Sequence, residues 1–339
     1  MPATSRQIVS DAIHHRGPER LPVLQAGLGV CDSAWLPMKT VVGFQPAVAG
    51  EDEWGCIWDR TEIKNMGQIK VHPLLEIPAD LAACKRPDYR ADSRWLDCPA
   101  ALDRAEHEGK YVVSGLFMVL FERMQGLHGF ENCLMDLKLD RPAMERLANL
   151  IVETHLTYVR EVHRRFGNRV HGISMSDDWG TQTAAYISST MWMDFFYPHY
   201  RRLFDEMHRC GYDVWVHSCG KVNEIIEGYI AAGVNVVNLQ QPRALGISEI
   251  GRRYRGRIAF ESLCDIQRTL PTGDRRLIAE DADQLMQHWA DGSGGFIFSD
   301  YGDGAAIGAP AGAKLAMYRE FSRLSERLYG RALPEPCAA

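Results

Sequence analysis

Short apolar and β-branched runs alternate along the chain with longer stretches whose apolar residues recur at helical spacing. The clearest strand runs are residues 111–115, 169–175, 213–217, 234–239, 258–261 and 295–298, with a weaker one at 21–25. Between them, residues 141–166 predict a helix ending at Gly167. Residues 188–210 predict one with Ser188 as N-cap and Gly211 beyond its end, and shorter ones fall at 222–232 and 281–289. Strands alternating with helices imply parallel pairing through right-handed crossovers. Seven such strands with no linker favour an α/β fold, a single (β/α)8 TIM barrel over residues 1–339, rather than an open sheet. Residues 54–99, rich in proline, break the alternation and are read as an excursion over the barrel mouth.

In such a barrel, chemistry belongs at the C-terminal ends of the strands. Polar groups do gather there: Ser176-Asp177-Asp178-Trp179 after 169–175, His217-Ser218-Cys219-Gly220 after 213–216, Gln240-Gln241-Pro242-Arg243 after 234–239, and Ser299-Asp300-Tyr301-Gly302-Asp303 after 295–298. His217 and Cys219 lie two apart and so share a strand face. Imidazole and thiolate are both zinc ligands, although two ligands alone do not define a site and a hydrogen-bonded histidine beside a buried thiol has the same spacing. Asp177 and Asp178 are adjacent and face opposite ways, so one of them is a candidate base, ligand or cation anchor; a loop cap is the competing role. Glu261 interrupts an apolar run, where a carboxylate is costly unless paired or functional. Arg243 is placed to grip a carboxylate. Glu122 and Arg123 read equally as an ion pair or as binding groups, and Trp179 completes the candidate substrate-binding set. Asp300 and Asp303 are oxygen ligand candidates in a loop whose Asp-Gly composition also suits an ordinary turn.

The chain has 339 residues and is 46% hydrophobic, enough for a full core. A net charge of −6 and the lack of basic blocks argue against nucleic-acid or anionic-membrane partners. No secretory signal or membrane span is expected. Nine cysteines, an odd number at irregular spacings, fit a reducing cytoplasm better than a disulfide scaffold. There is no Gly-x-Gly-x-x-Gly, Walker or Gly-x-Ser-x-Gly motif, so nucleotide cofactors and serine hydrolysis have little support.

Several strings together resemble the uroporphyrinogen decarboxylase superfamily, in its methyltransferase-like branch related to corrinoid and thiol methyltransferases. They are WGCIW from Trp54, FERMQGLHGFEN from Phe121, SDDWGTQ from Ser176, ISSTMWMDFFYP from Ile187, HSCGKV from His217, NLQQPRALG from Asn238, FESLCDIQRTLPTG from Phe260 and GGFIFSDYGDG from Gly294. The resemblance implies a (β/α)8 barrel in which a His-x-Cys pair, here His217 and Cys219, binds zinc with a further Cys after the last strand. Residues 299–304 contain no Cys, so the remaining ligands are expected from Asp300, Asp303, Cys264 or a neighbouring carboxylate, and a divalent transition metal other than zinc is allowed. The decarboxylases' R-Q-A-G-R motif corresponds to Leu24-Gln25-Ala26-Gly27-Leu28, which lacks both arginines and so lacks a cradle for a polycarboxylate.

The expected function is metal-dependent methyl or other one-carbon transfer, or demethylation, on a small molecule. Asp178 and Glu261 would serve as acid/base groups or ligands, with Gln240 and Arg243 orienting the substrate. A separate corrinoid protein is the expected carrier, and a homodimer fits barrels of this kind. The alternatives are a metal-free decarboxylase or lyase that uses Asp177 or Asp178 on a small carboxylated substrate, and a non-catalytic ligand-binding barrel.

Overall fold

The computed structural model describes residues 2–59 and 67–336. Its main sheet contains eight parallel strands: β1 Val23–Gln25, β2 Ser33–Trp35, β3 Tyr111–Leu116, β4 Gly172–Ser176, β5 Asp213–His217, β6 Val236–Leu239, β7 Ala259–Ser262 and β8 Phe296–Ser299. Each strand from β2 to β8 pairs with the next, and β8 pairs with β1, giving a nearly closed TIM barrel. The remaining seam, between β1 and β2, is closed through Asp32. Its backbone N–H donates to Val23 O at 2.7 Å, its Oδ2 accepts from Val23 N at 2.9 Å, and Arg20 grips its carboxylate with two nitrogens.

Seven of the eight strands coincide with the apolar runs; two begin on the expected residue and the other five one to three residues later. The exception is β2, three residues long and without alternation, which the pattern of apolar positions does not reveal. Residues 141–166 form one helix as expected: Asp140 accepts from Ala143 N at its start, and Gly167 (φ 52°) ends it. The expected 188–210 helix is interrupted. Ser188 caps a short turn, a wide π-helical turn spans Trp192–Phe196, and the α-helix resumes at Tyr197–Arg209. Trp192, Phe195 and Phe196 are all buried there, and Trp192 packs on Tyr200 and edge-on to Trp179 and Tyr229. The extra residue in the turn brings these large rings onto one face. The sequence pattern also passed over helices Cys98–His107 and Ala313–Tyr329.

Inside the barrel, the lower layer is apolar: Val113, Trp215, Val236, Ala259 and Ile297 meet Val9, Ala12 and Ile13 of α1 (Ser5–Ile13), which plugs the N-terminal end. A larger apolar layer fills the space between strands and outer helices. One level above the plug the interior turns polar: His217 pairs in register with Ser176 and Asn238, and Asn238 with Glu261. Residues paired across parallel strands point the same way, so this polar belt faces the barrel's open C-terminal end.

The excursion contains a hairpin, Ile57–Asp59 with Gln68–Val71, whose tip falls outside the described residues. It packs on helix Phe121–His128, where the Cys56 thiol and His72 Nδ1 both meet Gly126 O and Leu74 N donates to Leu127 O. The eight described cysteines are free; Cys337 falls outside the described residues. Among the described residues, no helix is long and apolar enough to cross a membrane.

Candidate metal and substrate site

His217 ends β5, and its orientation is set from one side. Asn238 Oδ1, a carbonyl oxygen on the neighbouring strand, lies 2.6 Å from His217 Nδ1. That oxygen only accepts, so Nδ1 carries the proton and Nε2 keeps a free lone pair. Nε2 faces the Cys219 thiol at 3.3 Å and Asp178 Oδ1 at 3.6 Å. Asp178 Oδ1 in turn accepts from Cys219 N at 2.7 Å. One donor atom each from Asp178, His217 and Cys219 falls within a 4.8 Å cluster, the one such group among the described residues. A nitrogen, a sulfur and a carboxylate oxygen suit a catalytic zinc or a similar divalent transition ion, for which three protein ligands are usual. Burial and the neighbouring Asp178 and Glu122 carboxylates push the Cys219 thiol well up, so by itself it stays protonated.

Asp178 reaches Cys219 because the loops after β4 and β5 touch. A Cβ on Gly220, which sits at φ 79°, would lie 2.2 Å from Gly180 O; a Cβ on Gly180 would lie 2.7 Å from Lys221 N. Lys221 N donates to Thr181 O at 2.7 Å and Trp179 N to Ser218 Oγ at 3.1 Å, clamping the two loops. Only glycine permits so close an approach.

Asp177 points the other way, as adjacency in a strand requires. It is fully buried and accepts the backbone N–H groups of Leu120, Phe121 and Glu122, as well as the Tyr200 hydroxyl. Three N–H groups at a helix N-terminus hold a carboxylate firmly. Asp177 thereby anchors helix Phe121–His128 and presents Glu122 to the site. Glu122 Oε2 accepts from Ser176 Oγ at 2.9 Å, and burial beside Asp178 and Asp177 pushes its carboxyl up to about 8. Glu261 stands in register with Asn238 on the neighbouring strand, and burial pushes it up to about 7. His217 is thus hydrogen-bonded to Asn238 across two strands, with Glu261 in register beside Asn238 on the third.

The other residues singled out in the sequence fall elsewhere. Cys264 is buried, its thiol directed at Ile278 O. Asp303 caps the turn at Ala305 and Ala306, and Asp300 pairs with Lys314 at 2.9 Å. None of the three joins the cluster around His217. Arg243 pairs at 2.7 Å with the buried Asp281, an ion pair that ties the loop after β6 to helix Arg275–Trp289. Trp179 is fully buried, stacked 4.2 Å from Phe121. Arg123 is buried against the Trp54 ring and Asp52. Gln240 directly follows β6 and is half-buried. The residues that sequence reasoning missed are Asn238, Gly180 and the hydroxyl of Ser176. An Asn inside the apolar run VNVVNL was the available signal, of the same kind that marked Glu261.

The sequence pattern of the uroporphyrinogen decarboxylase family matches residues 112–313, which hold all but the first residue of β3, the whole of β4 through β8, and every residue of the polar belt. Among solved structures, a methyltransferase from Methanosarcina mazei superposes with a TM-score of 0.68 at 14% identity, covering 95% of this chain and 99% of that one. A D-psicose 3-epimerase (TM-score 0.41, 12% identity, 68% of this chain and 83% of that one) and a 3-keto-D-glucoside 4-epimerase from E. coli (0.39, 9%, 68% and 84%) align far less well. Among curated proteins, none matches this chain in sequence. With the family pattern spanning more than half its length and lying over the strands that build the site, the chain belongs to the uroporphyrinogen decarboxylase family.

Proposed function

We propose that this protein is a metal-dependent transferase of methyl or other one-carbon groups, acting on a small molecule at the open end of the barrel. The observation that carries the reading is the convergence of Asp178, His217 and Cys219, with the His217 lone pair turned toward the other two by Asn238. The fold likeness to a methyltransferase over nearly the whole of both chains is in keeping with it.

Asp178, His217 and Cys219 would hold the ion, zinc or a similar divalent metal. Bound there, the ion would act as a Lewis acid toward a substrate oxygen or lower the pKa of an acceptor thiol. The chain's own residues do the rest. Asn238 fixes the imidazole tautomer. Glu122, protonated near neutrality, holds a transferable proton beside the three donors. Asp177 fixes the helix that carries Glu122. The acceptor is a thiol or a corrinoid carried on a separate protein. Porphyrinogen decarboxylation is disfavoured by Leu24 and Leu28, where the family's decarboxylases carry arginines.

Elemental analysis of the purified protein tests the reading. About one equivalent of transition metal is expected, falling below a tenth in His217→Ala and Cys219→Ala while the fold persists. Well under one equivalent in the native protein, together with activity that survives chelator, would sink it.

A further inference from the structure

Val113 and Gly115 of β3 face the barrel interior, and Phe117 continues that parity one step beyond the strand. Leu116 pairs with Met175, so Phe117 stands level with Ser176, which pairs with His217. With neighbouring strands about 4.8 Å apart, the backbones of Phe117 and His217 lie about 10 Å apart across the mouth. That span accommodates one substituted six-membered ring.

Phe117 is 64% exposed and Trp35 is 60% exposed, the most open aromatic side chains among the described residues. Trp35 pairs with Val113 and so also faces inward. Its ring lies over Gly115, where a Cβ would come within 2.8 Å of it. Met118, just after Phe117, holds a left-handed φ of 58° and donates its N–H to Ser176 Oγ. That conformation is unfavourable for a residue with a side chain, and it turns the chain sharply with the Phe117 ring left in the mouth. From the hairpin, the Trp58 ring faces Phe117 at 6.1 Å, held by an Nε1–H bond to Asp52 at 2.9 Å. Phe117 and Trp58 border a cleft of about 930 Å³ whose wall also includes Gly115, Phe44, Trp54 and Tyr89, a volume suited to a small molecule; Trp35 lies against its Gly115 wall. Among the described residues, the charged groups of the cleft are already paired: Glu51 with Lys85, Glu53 with Arg94, and Asp52 with Arg123. The described wall offers flat aromatic faces and no unpaired charge.

We propose that this cleft is the subsite for a planar, uncharged aromatic ring of the substrate, held between Phe117 and Trp58, with Trp35 bracing the Gly115 side and the reacting substituent directed at His217 and Cys219. The assignment of that far end rests on the metal-dependent reading above; the ring subsite stands on its own geometry. Stacking against fixed aromatic faces favours a flat ring over a puckered one of the same size.

The test titrates the full-length protein with methoxybenzene and with methoxycyclohexane, read by tryptophan fluorescence and saturation-transfer NMR, with metal content measured on the same samples. Methoxybenzene is expected to bind at least ten-fold more tightly. Phe117→Leu and Gly115→Ala, the second of which displaces Trp35, are expected to weaken methoxybenzene at least five-fold at unchanged melting temperature. Equal affinity for the two probes, or unchanged methoxybenzene affinity in both variants, overturns the subsite. His217→Ala separates the two readings: retained ring selectivity without metal supports the subsite whether or not the metal reading survives.

Discussion

Gly180 and Gly220 meet where the loops after β4 and β5 cross, so closely that a Cβ on Gly220 would lie 2.2 Å from the Gly180 carbonyl oxygen. This contact carries Asp178 to Cys219 and His217 and so assembles the candidate metal site. Gly220→Ala must both adopt an unfavourable φ and push the loops apart. The expected cost is about 1–3 kcal/mol of stability and loss of most bound metal, measured by thermal denaturation and elemental analysis. A variant that keeps full metal would show that the crossing does not assemble the site.

Asn238 acts on the metal through His217. Partners that orient a metal-bound imidazole typically change affinity by about 10–100-fold. Asn238→Ala is expected to weaken metal binding within that range in a chelator competition, with a smaller loss in Asn238→Asp, whose oxygen can still accept from Nδ1. Equal affinity in all three proteins would remove Asn238 from the site.

Arg243 is expected to matter for stability rather than for substrate. Removing it leaves the Asp281 carboxylate buried without its cation. Arg243→Ala should cost about 3 kcal/mol in denaturant unfolding, with the Arg243→Ala/Asp281→Asn pair recovering part of the loss. Substrate affinity measured in folded protein should stay within about two-fold of the native value, on the scale where 1.4 kcal/mol is ten-fold.

His155 adds an acid sensitivity. It is fully buried beside Trp54, neither ring nitrogen has a hydrogen-bond partner, and burial pulls its pKa from 6.5 down to about 3. The unfolded chain takes up a proton below pH 6.5, whereas the folded one does so only near pH 3. Its contribution is fully present above pH 6.5 and is lost at about 1.4 kcal/mol per pH unit as pH falls between those values. Unfolding free energies at pH 7.5 and pH 5 should therefore differ less in His155→Leu than in the native protein. An unchanged difference would show that His155 does not set this slope.

Much of the architecture is written locally. Apolar runs mark seven strands, Ser188 and Gly167 mark helix ends, and polar residues after each run mark the catalytic end of a barrel. His217 and Cys219 are legible for the same reason: two residues apart, one strand geometry decides that they face together. Asp178 lies 41 residues before Cys219 and joins it only because two glycines let distant loops cross. Nothing local distinguishes Asp178 from Asp177, one at the site and the other beneath a helix, or reveals that Arg243 is taken by Asp281. The three-residue β2 becomes a strand only by pairing with β3, and its Trp35 enters the mouth only because Gly115 leaves room on the neighbouring strand. Periodicity and capping act over a few residues and can be read from the chain, whereas the site depends on contacts between strands far apart in sequence, which exist only once the barrel has closed.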